Sequence, residues 1–323
     1  MVYPETLPAI KYGGSQRVVW SLLESLHSLG HSVDLLSSES SRNPFGRRIT
    51  ADSITMDLYS SYDVIHFHQQ PNKETVESLK TPYIVTVHGN AKPSTELDVN
   101  SVFVSRNHAQ RHGSSAYVYN GLNWSTYPKP RFQKTNDLHF LGNAAWKVKN
   151  LKGAINTVHQ LEEGKLHVLG GNRLNWKMGF QFYPSTRTKF HGMVDDRQKA
   201  EVLDRSSALL FPVRWHEPFG LSIIESLYFG CPVFGTPYGS LPELVGKECG
   251  FLSHSAKELA DALSHRMDFD QKMLHEYARD SFHADTMTRN YLRYYESAIN
   301  GNPINSVRPV NSSSSNVLLP WEG

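Results

Sequence analysis

The segment between Ser207 and Gly230 constrains the fold more than any other, because it predicts a strand, a loop and a helix in direct succession. Ser207–Val213 is a short apolar run interrupted near its end by proline, which is typical of a buried strand. Apolar residues then recur at helical spacing from Leu221 to Gly230, where the glycine can end the helix. Strand–loop–helix units of this kind build parallel α/β sheets, whose ligands bind at the carboxyl ends of the strands.

Two carboxylates bracket this helix start, in the run Glu217-Pro-Phe-Gly-Leu-Ser-Ile-Ile-Glu225. A helix start offers free backbone N–H groups and a positive dipole end, which suit an anion such as a diphosphate. At 1.5 Å per residue the carboxylates lie roughly 12 Å apart, comparable with a nucleotide-sugar measured from sugar to ribose. We expect Glu217 and Glu225 to bind hydroxyls at the two ends, with the diphosphate on the amides of Phe219, Gly220 and Leu221. The alternative is a solvated helix face.

This E-x7-E pattern with an internal Phe-Gly-Leu resembles the signature of the retaining nucleotide-sugar glycosyltransferases of family four. The resemblance covers residues 11–298 and is strongest from Phe190 to Val245. It implies the GT-B fold, in which two Rossmann-like α/β domains face each other across a cleft. It also implies a hexosyl transferase of polysaccharide biosynthesis that uses a UDP- or GDP-sugar and retains the anomeric configuration. The implied acceptor is a glycan, a lipid-linked or a small molecule, and neither a metal nor another cofactor is expected.

The strand and helix pattern runs through the chain twice, and the Pro-rich, basic run Tyr127–Arg131 suits a linker between the halves. We expect an N-terminal acceptor-side domain over 1–133 and a C-terminal nucleotide-sugar-binding domain over 134–283. The resemblance implies a terminal helix over 284–300 that crosses back to the first domain. Residues 301–323, with their Asn, Pro and Ser, predict a disordered tail.

Gly13 and Gly14 precede a predicted helix, where glycines let the backbone approach a phosphate. A plain tight turn explains the pair equally well, but the resemblance implies that this loop lies near the donor phosphate and the acceptor. Only Met1-Val2-Tyr3 is available ahead of it as a first strand. We therefore expect the central position of the first sheet to be poorly filled.

His88 stands at the end of a predicted strand and is followed by glycine, so its ring can point into a ligand crevice. The resemblance implies that it contacts the donor sugar. His66 and His68 share one face of the preceding strand. We expect His66 to pack structurally and His68, nearer the strand end, to approach the cleft.

Two pairs of histidines have the H-x-x-x-H spacing that can hold a metal on a helix, His27 with His31 and His108 with His112. Neither pair has the glutamate of an H-E-x-x-H motif. We therefore interpret both pairs as surface histidines and predict no metal site.

The loop after the predicted strand ending at Gly142 carries three lysines, and two cations there can neutralise a leaving diphosphate without a metal. The family pattern is Gly-Arg, four residues, then Lys-Gly. Here Asn143 replaces the arginine, and Lys152 with the glycine after it matches the second part. We predict Lys147 as the substitute cation, with Lys149 as its rival. A solvated basic loop is the alternative.

The resemblance also implies individual roles. The backbone at Met193 and Val194 would receive the nucleobase. Glu217 would orient the donor sugar, with His88 acting from the other domain and Lys152 on the diphosphate, and these three form the predicted catalytic set. The leaving phosphate would accept the proton of the acceptor, so no dedicated protein base is needed; a double displacement through Glu217 is the less favoured route.

Composition excludes other classes. The 323 residues suffice for two domains, and the net charge of +2 gives no reason to expect a nucleic-acid partner. Cys231 and Cys249 are expected to be buried and reduced. No apolar run approaches the roughly 20 residues of a membrane helix, and the N-terminus lacks signal-peptide features. We expect a cytoplasmic protein, at most peripheral to the inner face of a membrane, with the basic loop Ser41–Arg48 as a candidate contact for an anionic acceptor or headgroup.

The main alternative is a catalytically silent GT-B subunit that binds or assists a partner, which the short first strand and Asn143 motivate. Titration with nucleoside diphosphates distinguishes the two, since a chain without any binding would favour the silent subunit. A nicotinamide-binding Rossmann enzyme is disfavoured because no G-x-G-x-x-G follows the first strand. A sugar-nucleotide epimerase of similar fold has no support from the E-x7-E segment.

Overall fold

The computed structural model describes residues 1–9, 13–50, 56–176, 179–312 and 317–323. The chain forms two compact α/β units. The first comprises Met1–Trp124 and Phe282–Ser315, and the second comprises Ser125–Ser281 and Asn316–Gly323. Within these described ranges, no helix combines the length and the apolar character needed to cross a bilayer.

The first unit is built on short parallel strands. They are β1 (Leu35–Leu36), β2 (Arg48–Ile49), β3 (Ile65–Phe67), β4 (Tyr83–Val87) and β5 (Ser101–Phe103). Its N-terminal part also contains the helices α1 (Gly14–Ser28), α2 (Met56–Tyr59), α3 (Lys73–Ser78) and α4 (Arg106–Gln110). Helix α1 buries one apolar stripe, including Val19, Leu22, Leu23 and Leu26, because these residues recur at the spacing of one helix face.

The first three residues occupy the centre of this sheet, between β1 and β3. Val2 forms parallel bridges to both strands. Its N–H donates to the carbonyl of His66 at 2.8 Å, and its carbonyl accepts from the N–H of His68 at 3.0 Å. On the other side, the N–H of Leu36 donates to the carbonyl of Met1 at 2.8 Å. The expectation of a poorly filled centre is therefore wrong, because three residues suffice to satisfy both neighbours.

The second unit contains a six-stranded parallel sheet with the order β10-β7-β6-β11-β12-β13. Its strands are β6 (Leu138–Leu141), β7 (Leu166–Leu169), β10 (Thr188–Phe190), β11 (Ala208–Phe211), β12 (Val233–Gly235) and β13 (Gly250–Leu252), and β8 (Leu174–Asn175) pairs with β9 (Gln181–Phe182) as a separate antiparallel hairpin. Every residue of β11 is buried, because this strand has a neighbour on both sides and lies inside the core.

Helices cover this sheet. They are α5 (Leu151–His159), α6 (Asp196–Arg205), α7 (Leu221–Tyr228), α8 (Leu241–Leu244), α9 (Ala256–Leu263) and α10 (Gln271–Ser281). One core cluster joins β6, β7, β11 and β12 to α5 and α9. Because all six strands are parallel, the loops that follow β6, β7, β10 and β11 meet at one edge of the sheet.

The last helix, α11 (Ala284–Ile299), belongs to the first unit, where it packs on α1 and β4. Its side chains Tyr291 and Tyr295 are buried there. The hydroxyl of Thr86 donates to the hydroxyl oxygen of Tyr291 at 2.9 Å. Hydrogen bonds and aromatic packing therefore both tie this helix to the sheet of the first unit.

The expectation of a disordered tail after residue 300 is wrong for the residues that the structure describes. Asn305 is buried, and its side-chain amide donates to the carbonyls of Val99 and Ser101, both at 2.8 Å. Further on, the N–H of Glu322 donates to the carbonyl of His254 at 2.8 Å in the second unit. The serine run that suggested disorder lies, after Ser312, outside the described residues.

Candidate functional site

Glu217 lies in the loop between β11 and α7, and its side chain is 8% exposed. Its Oε2 accepts a hydrogen bond from the Nζ of Lys149 at 2.6 Å and another from the Nε1 of Trp215 at 2.7 Å. The Nζ of Lys149 also stands 4.9 Å from the centroid of the Trp215 ring. Removing either member of a buried pair leaves the other charge uncompensated, so the two side chains hold each other in place.

Two glycines shape the Glu217 loop. Gly220 precedes α7 with a φ of +84°, a backbone conformation that residues other than glycine rarely adopt. Gly239 has a φ of +67°, and a Cβ there would lie 2.2 Å from the backbone nitrogen of Glu217. The next residue, Ser240, donates its N–H to the carbonyl of Glu217 at 2.9 Å and its hydroxyl to the carbonyl of Phe219 at 2.7 Å. The loop after β12 therefore fixes the loop that carries Glu217.

The start of α7 has the features of an anion site. Its N-cap residue, Gly220, supplies no side-chain hydrogen bond to the first turn. Phe219 is buried, and the backbone continues through Leu221 into the helix. The first amides of a helix have no intrahelical acceptor and point along the positive end of the dipole. The predicted diphosphate amides therefore form the start of α7, in the same loop that carries Glu217.

Glu225, about one turn into α7, is also buried and also paired with a lysine. Its Oε1 accepts hydrogen bonds from the hydroxyl of Tyr127 at 2.6 Å and from the Nζ of Lys199. Lys199, on α6, lies 2.9 Å from Asp196 as well. Sequence reasoning missed both partners of Glu225. A hint was available for Lys199, since it sits on the buried side of α6 beside Ala200.

Lys147 and Lys149 in the loop after β6 and Lys152 in the first turn of α5 do not share one environment. Lys147 and Lys152 are exposed, whereas Lys149 is buried against Glu217. Lys147 and Lys149 lie two residues apart in one 3₁₀ turn, so their side chains leave it on different sides. Asn150, with a left-handed backbone (φ +55°), then turns the chain into α5. Its Oδ1 accepts from the N–H of Gly153 at 3.1 Å and caps α5. The structure therefore joins the rival lysine to Glu217 and leaves the two predicted lysines on the surface.

Met193 and Val194 follow β10, at the same edge of the sheet as Glu217. Met193 is exposed, and Val194 is partly exposed. The preceding Gly192 accepts, through its carbonyl, the N–H of Gly170 at 2.8 Å. The loops after β7 and β10 are thereby joined, and they present the backbone that was predicted to receive a nucleobase.

In the first unit, His88 follows β4 and His68 follows β3. The Nδ1 of His68 lies 3.0 Å from the Nε2 of His88, and the rings stack with centroids 5.2 Å apart. Burial lowers the pKa of His88 to about 4 and holds the pKa of His68 well below its usual value. Both rings are therefore neutral at neutral pH. A cavity of about 280 Å³ opens beside them and is also lined by Tyr3, Glu5 and Ser15.

The predicted glycine loop leads into this region. Gly13 is the N-cap of α1, and Gly14 is its first residue. Ser15, the next residue, lines the cavity beside the His68–His88 pair and exchanges a hydrogen bond with the hydroxyl of Tyr3 at 2.9 Å. Lys11 and Tyr12 of the same loop lie outside the described residues.

Three further histidines of the first unit pack in its core. The ring nitrogens of His66 hydrogen-bond to the hydroxyls of Tyr295 at 2.8 Å and Thr86 at 2.7 Å, so His66 belongs to the core. His108 and His112 are fully buried against Phe103, and the prediction that they are surface histidines is wrong. Their spacing of one helical turn places both on the apolar side, where an aromatic ring covers them.

Two further expectations concern reactive and basic side chains. Cys231 and Cys249 are buried free thiols, and burial raises the pKa of each. In the basic loop, the guanidinium of Arg47 lies 2.7 Å from Asp34. That ion pair reduces the positive charge which the loop Ser41–Arg48 presents to an anionic partner.

Residues 135–268, which contain the Glu217 and Glu225 pairs, match the family model described as Glycosyl transferases group 1. No curated protein sequence matches the chain at the required significance. Among solved structures, the chain is similar to AviGT4, a glycosyltransferase involved in avilamycin A biosynthesis, with a TM-score of 0.75 and 20% identity over 92% of this chain and 93% of that one.

Two further similar structures are a sucrose-phosphate synthase from Thermosynechococcus elongatus and the Anabaena protein HepE in complex with UDP-glucose. The first has a TM-score of 0.70 and 15% identity over 93% of this chain and 99% of that one. The second has a TM-score of 0.67 and 14% identity over 92% and 100%. At such identities the likeness shows the fold, which is the predicted α/β fold of GT-B glycosyltransferases with two Rossmann-like domains. Together with the family match, it supports a glycosyltransferase.

Proposed function

We propose that this chain is a retaining glycosyltransferase that takes a hexosyl group from a nucleotide-sugar. The observation that carries the proposal is the buried Lys149–Glu217 pair at the carboxyl end of β11, directly before the start of α7. It lies within the residues that match Glycosyl transferases group 1. Some of the structural neighbours were solved with UDP-glucose, with UDP or with ADP, which is consistent with a nucleotide-sugar donor here.

The donor diphosphate is proposed to bind the Nζ of Lys149 and the backbone amides of Phe219, Gly220 and Leu221. As the bond between sugar and phosphate breaks, negative charge develops on the departing diphosphate. Lys149 is already fixed by Glu217, so it can stabilise that charge without first being reoriented. This assignment replaces Lys147 and Lys152, whose side chains are exposed. With the charge supplied by a side chain and a helix start, the proposed reaction needs no metal.

Each glutamate is proposed to bind a donor hydroxyl through the carboxylate oxygen other than the one that accepts from Lys149 or Lys199. Among the residues that the structure describes, Lys149 and Trp215 both donate to Oε2 of Glu217, and Tyr127 and Lys199 both donate to Oε1 of Glu225. Because a carboxylate has lone pairs on both oxygens, Oε1 of Glu217 can accept a sugar hydroxyl and Oε2 of Glu225 a ribose hydroxyl. Glu217 is thus a positioning group for the sugar, and the leaving phosphate takes the proton of the acceptor.

His88 stays in the proposal as a contact to the donor sugar, and Met193 and Val194 as backbone contacts to the nucleobase. Since burial lowers the pKa of His88 to about 4, the ring would act as a neutral hydrogen-bonding group. The proposed acceptor is a glycan, a lipid-linked or a small molecule.

The silent-subunit alternative had two motives, and the filled centre of the first sheet removes one of them. The other is that Asn143 stands where the family pattern has an arginine, and Lys149 offers a replacement for that missing cation. Calorimetric titration with UDP, GDP and ADP decides between the two functions. Binding of one nucleotide by the wild-type chain, weakened in Lys149→Ala, supports the transferase.

Turnover is the direct test of the proposed function. We expect release of nucleoside diphosphate from one member of a panel of nucleotide-sugars. Glu217→Ala should lower this rate by about a hundredfold or more, in line with the loss of one transition-state contact. Near wild-type rates in both Glu217→Ala and Lys149→Ala would overturn the assignment of the site.

A further inference from the structure

The β8–β9 hairpin of the second unit exposes an apolar surface. Leu174, Trp176, Phe180 and Phe182, which we call the hairpin surface, are 42%, 67%, 64% and 53% exposed. Leu174 pairs directly with Phe182 across the hairpin. Side chains two residues apart lie on the same face of a strand, so Trp176 and Phe180 extend that face, and their rings lie 5.0 Å apart. The four side chains form one continuous patch.

The polar residues between them face the other way. The Nε2 of Gln181 donates to the carbonyl of Ala145 at 3.0 Å, and Asn175 donates to the carbonyl of Asn172 at 2.9 Å. At the base of the hairpin, Arg173 donates to the carbonyls of Tyr183 at 2.9 Å and Thr188 at 3.0 Å. These bonds fix the hairpin with its polar side towards the protein and its apolar side outwards. This inverts the usual arrangement of a strand on a protein surface, and such patches mark interaction sites.

Cations lie beside the hairpin surface, along one groove. Phe180 and Phe182 line one side of a groove of about 760 Å³, and Lys147, Lys152 and Arg214 also line it. Among the described residues that line the groove, none is acidic. The sequence from Lys165 to Val194 contains five Lys or Arg and no Asp or Glu, although the whole chain is nearly neutral. The partner of this surface must therefore offer both apolar and negatively charged groups.

We propose that the hairpin surface docks this chain on a bilayer that contains anionic lipids. Exposed Trp, Phe and Leu beside Lys and Arg match the interfacial layer of a membrane, where rings reach the acyl boundary and cations bind headgroup phosphates. Each cation near an anionic leaflet adds attraction that falls with ionic strength. The surface thus combines an apolar anchor with a salt-dependent electrostatic contact.

Co-sedimentation of the full chain with vesicles tests this proposal. Vesicles of phosphatidylcholine with phosphatidylglycerol should bind the chain, and vesicles of phosphatidylcholine alone should bind it at least about tenfold more weakly. The double variant Trp176→Ser with Phe180→Ser should weaken binding about tenfold or more, because two apolar anchors are lost. Lys147→Gln with Lys152→Gln should weaken binding at low salt and flatten its dependence on ionic strength.

Phe251→Ser is the matched control. Phe251 is 40% exposed on β13, at the opposite edge of the sheet from β10, so this variant should bind vesicles like the wild-type chain. Circular dichroism verifies that each variant is folded. Quenching of tryptophan fluorescence by brominated lipids should be strong in the wild type and reduced in Trp176→Phe, which keeps an aromatic anchor.

No binding to anionic vesicles, or equal binding by the wild type and the Trp176→Ser, Phe180→Ser variant, would overturn the proposal. Binding that depends on phosphatidylglycerol and on the hairpin aromatics would support it. Because no donor is present in these experiments, the outcome is independent of the transferase proposal.

Discussion

The Nζ of Lys149 lies 2.6 Å from the Oε2 of Glu217, and both side chains are buried in the second unit. This relationship links the loop after β6 to the loop after β11 at the edge of the sheet where ligands bind. It also gives each residue two roles, since the pair contributes to the local structure and is the proposed donor site.

A double-mutant cycle separates stability from catalysis. Glu217→Gln should destabilise the second unit by about 3–5 kcal/mol, because it leaves the buried ammonium of Lys149 without its counter-charge. Adding Lys149→Met should recover most of that loss, since no charge then stays buried. Denaturant unfolding measures the recovery, and donor turnover should stay low in the double variant. Recovery of turnover together with stability would mean that the pair is only structural.

Lys149, in the loop after β6, and Lys152, in the first turn of α5, should differ in their effect on activity. Lys149→Ala should lower donor turnover by about a hundredfold or more, as expected for removing a preorganised charge at the leaving group. The reduction of turnover in Lys152→Ala should be smaller than that in Lys149→Ala by a factor of about ten or more, because the side chain of Lys152 is exposed. Steady-state kinetics with one donor gives the ranking. The reverse order would restore the assignment derived from the sequence pattern alone.

The histidine pair of the first unit should make stability depend on pH. Because burial lowers the pKa of His88 to about 4, the folded chain binds fewer protons than the unfolded one between about pH 6.5 and pH 4. The contribution of His88 to stability should therefore be full above pH 6.5 and fall as the pH decreases through that window. Midpoints of urea unfolding at several pH values measure the slope.

His88→Asn should flatten this slope, and His31→Asn, which changes an exposed histidine, should leave it as in the wild type. A slope that is unchanged in His88→Asn would contradict the burial that we attribute to this ring.

Gly239 should tolerate no side chain, because a Cβ there would meet the backbone of Glu217 at 2.2 Å. We expect Gly239→Ala to destabilise the chain by about 1–3 kcal/mol and to lower turnover by displacing Glu217. Gly301→Ala is the matched control. It has a similar φ of +76° but nothing within 4 Å of the added carbon. Equal effects of the two substitutions on turnover would show that only backbone conformation matters.

Local sequence pattern predicted the element that carries Glu217. The apolar run ahead of it is β11, and the helical spacing after it is α7 (Leu221–Tyr228), which ends near the expected Gly230. The short strands that end near His68 and His88 were also predicted, because their apolar runs are bounded by polar loops. Each of these features depends on residues close together in sequence.

Contacts between residues that are distant in sequence could not be predicted from the sequence. The choice among the three lysines depends on the contact of Lys149 with Glu217, 68 residues away. Lys199 and Tyr127 reach Glu225 from 26 and 98 residues away. The ordering of the segment after residue 300 likewise depends on hydrogen bonds such as that of Asn305 with Ser101, 204 residues apart. No local pattern encodes contacts of that kind.

We propose that this chain moves a sugar from a nucleotide-sugar with retention, using the Lys149–Glu217 site. The most direct measurement is a proton NMR time course of the wild-type chain with the donor that it consumes, in which the anomeric signal of the first product is assigned. We predict that this product has the anomeric configuration of the donor and that its formation is lost in Glu217→Ala. A first product of inverted configuration, or no consumption of any nucleotide-sugar, would contradict the proposed function.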